Sequence, residues 1–173
     1  MSTLKVGTIQ DHANSTTALT IDNAGRILTP ARPAFRARIG AQSGGTGATG
    51  DLVFETEDFD IGGNYNVSNG RFTAPIAGIY HFMFRGLSSG SNTGSANSGG
   101  DTAFGDLKKN GSVVDGARFY HYIQSGNFHA MLYLNTIIQL NASDYVQVNM
   151  NTEFLYGDAT GAYDPCFEGY LLG

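Results

Sequence analysis

With Cys166 as its only cysteine, the 173-residue chain cannot close a disulfide on itself, which excludes the small stapled modules of secreted proteins. Tryptophan is missing and only 14% of residues are charged, a composition that fits a turn-rich β protein. No run approaches the ~20 apolar residues of a spanning helix, and the opening MSTLKVG lacks the apolar core of a signal peptide. Nor does any run of ten residues place apolar side chains at i, i+3, i+4 and i+7, so helix is nearly absent. These absences predict synthesis in a cytoplasm, without a signal peptide or membrane insertion.

What is present is β chemistry. Aromatic residues reach 12% and glycines number 24. Alternating runs of four to eight residues bounded by Gly, Asn, Ser or Asp recur throughout, as in an all-β sandwich. The length suits one domain with an appendage. The net charge of −5 is uneven: Lys5, Arg26, Arg32, Arg36 and Arg38 outnumber Asp11 and Asp22 near the start, whereas Asp51, Glu55, Glu57, Asp58 and Asp60 crowd one acidic stretch. So acidic a chain is a poor nucleic-acid binder, and none is expected as a partner.

The stretch Gly70 to Arg85 organises the rest. Asn69-Gly70 is a turn dipeptide, Pro75 ends any ladder before it, and Gly78 releases a strand. There Tyr80, Phe82 and Phe84 share a core face, while Ile79, His81 and Met83 share a second face too apolar for water, which predicts a strand covered on both sides. Gly70-Arg71-Phe72-Thr73-Ala74-Pro75 with Gly78-Ile79-Tyr80-x-Phe82-x-Phe84 resembles the signature of the C1q-like globular head, of the C1q and tumour necrosis factor superfamily. Pro33-Ala34-Phe35-x-Ala37, Phe59-Asp60-x-Gly62-x-Asn64-Tyr65-Asn66, Leu107-x-x-Asn110-Gly111, Asp144-x-Val146-x-Val148 and Phe167-x-Gly169-Tyr170-Leu171-Leu172 follow in family order. The turn Asn141-Ala142-Ser143-Asp144 departs from the pattern, which usually has Gly before the Asp. The resemblance implies a jelly-roll β-sandwich of eight to ten strands over residues 33–173, assembled as a homotrimer.

Residues 1–32 read as a separate attachment segment. Ala18 to Ile21 pairs with Arg26 to Leu28 across Asp22-Asn23-Ala24-Gly25, a β-hairpin too small to stand alone in water. Leu4, Val6, Ile9, Leu19, Ile21, Arg26 and Ile27 are its candidate anchor residues. The run Leu4 to Gln10 with Ala18 to Arg26 also resembles the N-terminal stretch of tailed-phage fibre and appendage proteins, which implies attachment to another virion protein.

Gly45-x-Gly47-x-x-Gly50 fits a dinucleotide fingerprint formally, but the following Asp51 to Glu55 reads as strand, so a flexible loop is expected. A second polar run, residues 86–102, suits an adaptable recognition loop or a tip with no specific ligand. Candidate receptor-binding residues are Ser88, Ser89, Ser91, Asn92, Thr93, Asn97 and Asp101, with Tyr156, Asp158 and Tyr163 in a later loop. Strands at Phe119 to Ile123 and Phe128 to Leu134 carry Tyr, Met and His opposite core residues, a composition suited to a subunit interface. The candidate interface is His81, Met83, Tyr120, Tyr122, His129, Met131 and Tyr133.

No basic motif stands beside Cys166 and no His-x-x-x-His or Cys-x-x-Cys spacing occurs, so no catalytic or metal site and no cofactor is assigned and no enzyme is expected. The resemblance raises calcium near a trimer apex, without a ligand motif here to receive it. The reading is a virion structural protein, a tail fibre or other appendage, whose head recognises a host-surface glycan or protein. The alternatives are a capsid decoration or head fibre with a structural role and a soluble C1q-like ligand-binding module.

Overall fold

The computed structural model describes residues 4–39, 46–90, 101–123, 128–156 and 164–173. The central element is β9 (Gly78–Gly90), in which Tyr80, Phe82 and Phe84 are fully buried, as their alternation predicts. β9 is flanked on one side by β14 (Cys166–Leu171), then β4 (Ala34–Arg38) and β6 (Thr56–Ile61), and on the other by β12 (Phe128–Leu140). The second layer is built on β13 (Tyr145–Tyr156), which pairs with β10 (Asp101–Lys109), β5 (Thr46–Asp51) and β8 (Arg71–Thr73). β11 (Ser112–Ile123) closes one side of that layer, and β7 (Tyr65–Asn66) pairs with β8. Every pairing is antiparallel, and the described residues contain no helix. The layers join at one corner, where Leu155 and Tyr156 pair with Ser88 and Leu87. This is a jelly roll.

The core between the layers is aromatic. Phe35 stacks on Tyr65 and Phe72 at 4.8 and 4.9 Å and meets Phe167 edge-on at 5.0 Å. Each buried ring of this kind stabilises the fold by roughly 2–3 kcal/mol. The Tyr65 hydroxyl donates to the Phe54 carbonyl oxygen and accepts from the Phe54 N–H, so the ring is buried without stranding its polar end. Gly70 closes the turn before β8 with φ +70°, and a Cβ there would lie 2.0 Å from the Leu52 carbonyl oxygen. Only glycine fits.

Four sequence expectations change. The sandwich has eleven strands among the described residues, β4 to β14, rather than eight to ten, because β5, β7 and β8 are separate short pieces on the second layer. Thr46 to Asp51 forms β5 instead of a flexible loop, since its glycines leave the backbone free to pair with β13. Leu52 to Glu55 is irregular instead of strand: the Leu52 N–H bonds to the Val148 carbonyl, and Leu52 and Phe54 turn into the core. The polar run at residues 86–102 is also partly strand, for β9 continues to Gly90 and β10 begins at Asp101.

Before the sandwich lies a separate three-stranded sheet, β1 (Thr8–Gln10), β2 (Thr17–Ile21) and β3 (Ile27–Leu28). The Asp22 carboxylate accepts from the Ala24 and Arg26 N–H groups and pairs with the Arg26 side chain at 2.7 Å, with Gly25 at φ +78° completing the turn.

Candidate functional site

In β9 the face opposite the core carries Ile79, His81, Met83 and Arg85. The register sets His81 beside Tyr170 of β14 and Ile137 of β12, and Met83 beside Glu168 and Asn135. Arg85 lies opposite Tyr133, and Met131 lies opposite Leu87. The result is one outward face of Ile79, Met131, Tyr133, Ile137, Tyr170 and Leu172, all exposed, with Tyr133 and Ile137 at 61% and 60%. The expectation of a strand covered on both sides is met on the core side alone within a single chain. His81 is fixed by Nε2 at 2.6 Å from Asn135 Oδ1 and by an edge-on contact with Tyr170, and its Nδ1 is buried without a hydrogen-bond partner.

A charged border flanks this face on β6, β4 and β14. Arg38 pairs with Asp58 at 2.9 Å and with the buried Asp164 at 3.0 Å, while Arg36 lies 3.3 Å from Asp58 and 3.7 Å from Glu168. Cys166 is buried beneath these groups, and burial pushes its thiol pKa up, which makes the thiolate scarce at neutral pH.

The outward face of the second layer is different. On β10 and β11, Phe104 sits opposite Tyr120 and Asp106 opposite Arg118. Arg118 holds the buried Asp106 through two hydrogen bonds, Nε–Oδ1 at 2.7 Å and Nη2–Oδ2 at 3.0 Å, and its guanidinium lies 5.1 Å from the Phe104 ring centre. Next to them Asp51 Oδ1 accepts from Lys108 Nζ at 2.8 Å and Asn149 Nδ2 at 2.7 Å. At the end of the sandwich near β7 and β8, Asn64, Tyr65, Thr73, Pro75 and Ser143 line a shallow pocket of about 550 Å³. Among the described residues no group of three His, Cys, Asp or Glu is placed to hold a metal.

These positions sort the sequence candidates. His81, Met83, Met131 and Tyr133 fall on the one apolar face, whereas Tyr120 stands on the opposite layer. The backbone of Tyr122 pairs with Thr102 and that of His129 with Ser89; the side chains of Tyr122 and His129 lie outside the described residues. Ile79, Ile137, Tyr170 and Leu172 belong to the face but are absent from the sequence candidates. Two-residue spacing from Tyr133 would have reached Ile137, but nothing in sequence ties Tyr170 to His81. The backbones of Ser88 and Tyr156 meet at the corner where the layers join, Ser89 follows on β9 opposite His129, and Asp101 begins β10 opposite Ile123. Ser91, Asn92, Thr93, Asn97, Asp158 and Tyr163 lie outside the described residues. In the N-terminal sheet Ile9 pairs with Leu19 and Ile21 with Ile27, which sets all four on one face, with Leu4 and Ile27 well exposed.

Comparison with known proteins agrees with this architecture. The globular domain of zebrafish complement 1qA is similar over 82% of this chain and 98% of its own, with a TM-score of 0.61 and 17% identity, a likeness of fold. The family model described as the C1q domain matches residues 34–172, nearly the whole of the sandwich. The chain therefore belongs to the C1q domain family, whose members serve as ligand-binding modules.

Proposed function

We propose that this chain is a virion appendage protein of a tailed phage, a tail fibre or similar projection, whose trimeric head binds a host-surface glycan or protein and whose residues 1–32 attach to another virion protein. C1q domains commonly form trimers that bind ligands, and the observation that carries the reading is the apolar face of β9, β12 and β14. A face with six exposed large apolar side chains is costly in water and suits burial against copies of itself. Three copies multiply weak contacts through effective concentration, which suits adsorption to a repetitive surface. The aliphatic face of Ile9, Leu19, Ile21 and Ile27 supports attachment, because so small a sheet buries too little by itself. The head acts by binding and not by catalysis, and the virion is where the protein resides.

Light scattering on the full chain and on a version starting at Pro33 tests assembly. Both are expected to be trimers, with only the full chain retained by virion components. A trimer that forms only with residues 1–32 present would move the assembly role to that segment. Binding of fluorescently labelled head to host cells tests recognition, and its absence would reject the adsorption role.

A further inference from the structure

We propose that the outward face of β10 and β11 is a binding site for an uncharged sugar ring, formed by Tyr120 as a stacking platform and Arg118 as a fixed hydrogen-bond donor. The site deepens the recognition role proposed above and rests on it, but it lies on a sheet face and not in the polar loops.

Tyr120 is 61% exposed on a strand whose neighbours on that face are aromatic or charged. A ring so displayed offers a flat apolar surface with a hydroxyl at its rim, which matches the apolar face and equatorial hydroxyls of a pyranose. Phe104 lies directly across the ladder, with the Arg118 guanidinium over its ring. Two residues along β11 the Arg118 side chain is 56% exposed, while the Asp106 carboxylate that grips it is only 5% exposed. That grip uses Nε and Nη2 and leaves the Nη1 donors unused by the pair, held in a fixed direction by the carboxylate on one side and the Phe104 ring on another. Residues two apart on a strand are about 7 Å apart, roughly the width of a sugar ring with its hydroxyls. A ring stacked on Tyr120 therefore presents an edge to Arg118. The neighbouring Asp51, Lys108 and Asn149 extend the polar surface along β5, β10 and β13.

Charge decides the class of sugar. Among the described residues of β10 and β11 each Lys and Arg is paired with a carboxylate, Lys108 with Asp51, Lys109 with Asp144 and Arg118 with Asp106, and the chain carries a net charge of −5. A polyanionic glycan gains nothing from such a field, whereas a neutral ring gains stacking and oriented hydrogen bonds.

The probe is an array of immobilised neutral and acidic oligosaccharides, read with the full-length wild type, Tyr120→Ala and Arg118→Lys, each checked for solution mass. The expected result is binding to neutral hexose-bearing spots that survives a several-fold rise in salt. Tyr120→Ala should weaken it by about tenfold, the loss of one stacked ring, and Arg118→Lys by about fivefold, with masses unchanged. Binding confined to acidic spots, equal binding by wild type and Tyr120→Ala, or a loss of oligomeric mass in Tyr120→Ala would each overturn the proposal. The host-cell assay separates the two readings. Cell binding that both variants retain rejects this site and leaves recognition standing, while array binding without cell binding does the reverse.

Discussion

Replacing Ile137 by glutamate should convert the proposed trimer to monomers. Full burial of an isoleucine side chain stabilises by roughly 2 kcal/mol. With 60% of its surface exposed in the single chain, Ile137 has about 1.2 kcal/mol of that still to gain, or about 3.6 kcal/mol over three subunits. Glutamate forfeits this gain and also forces three carboxylates out of water, a penalty of several kcal/mol per ion where no partner is supplied. Directly opposite Ile137 stands His81, already fixed on Asn135, and the nearest arginine in register, Arg85, lies opposite Tyr133, four residues away along the strand. The formation constant of the trimer should then fall by at least about a thousandfold, the equivalent of about 4 kcal/mol. The side chain points away from the core, so circular dichroism and the thermal midpoint of the isolated subunit should barely change. Light scattering across a concentration series is the assay. A variant that keeps the wild-type mass at low micromolar concentration would refute the burial of this face, as would a monomeric wild type.

Ser143 holds φ +72° in the turn before β13, a conformation that disfavours a side chain, so Ser143→Gly should raise stability by about 0.5–1 kcal/mol, read as a small increase in denaturant midpoint. Gly70→Ala should lower it by about 3 kcal/mol or more, because the new methyl strikes backbone and the residue is forced to keep positive φ; failure to see a large drop in midpoint would contradict the turn geometry. Asp144 is held at a pKa of about 2 by hydrogen bonds from Asn110, Lys109 and the Asn141 N–H. Its folded pKa is below the unfolded value, so its contribution is complete above about pH 4 and is lost as pH falls towards about 2, and Asp144→Asn should flatten the acid unfolding curve in that window.

The sequence is most legible where side chains alternate strongly. Tyr80, Phe82 and Phe84 against Ile79, His81 and Met83 specify both the core and the outward face of β9 by alternation alone, and Asn69-Gly70 marks the turn that precedes β8. It is least legible where backbone alone decides. β5 contains Thr46-Gly47-Ala48-Thr49-Gly50, whose glycines carry no periodic signal, and it exists as a strand because β13 offers a ladder about a hundred residues later. The Arg118–Asp106 pair is hidden for a related reason: a bulge between Asp106 and Lys108 shifts the hairpin register, so equal counting from the Asn110-Gly111 turn does not bring them together. Which layer each aromatic strand joins is likewise a matter of topology, which is why Tyr120 and Tyr133, alike in sequence, face opposite sides of the sandwich.

The position of β14 constrains the order of events during synthesis. It lies between β4 and β9, so β4 and β6 reach the first layer only through a strand made roughly a hundred residues or more after them. Until Cys166 to Leu171 emerges, Phe35 lacks Phe167, and the apolar flank of β9 has no neighbour on that side. The head should therefore complete itself only once its last strand has emerged, in one step that closes the core and sets His81, Tyr170 and Ile137 side by side. A ribosome stalled before β14 would hold an open half-sandwich, and protection of nascent chains from protease should appear abruptly once that strand is free.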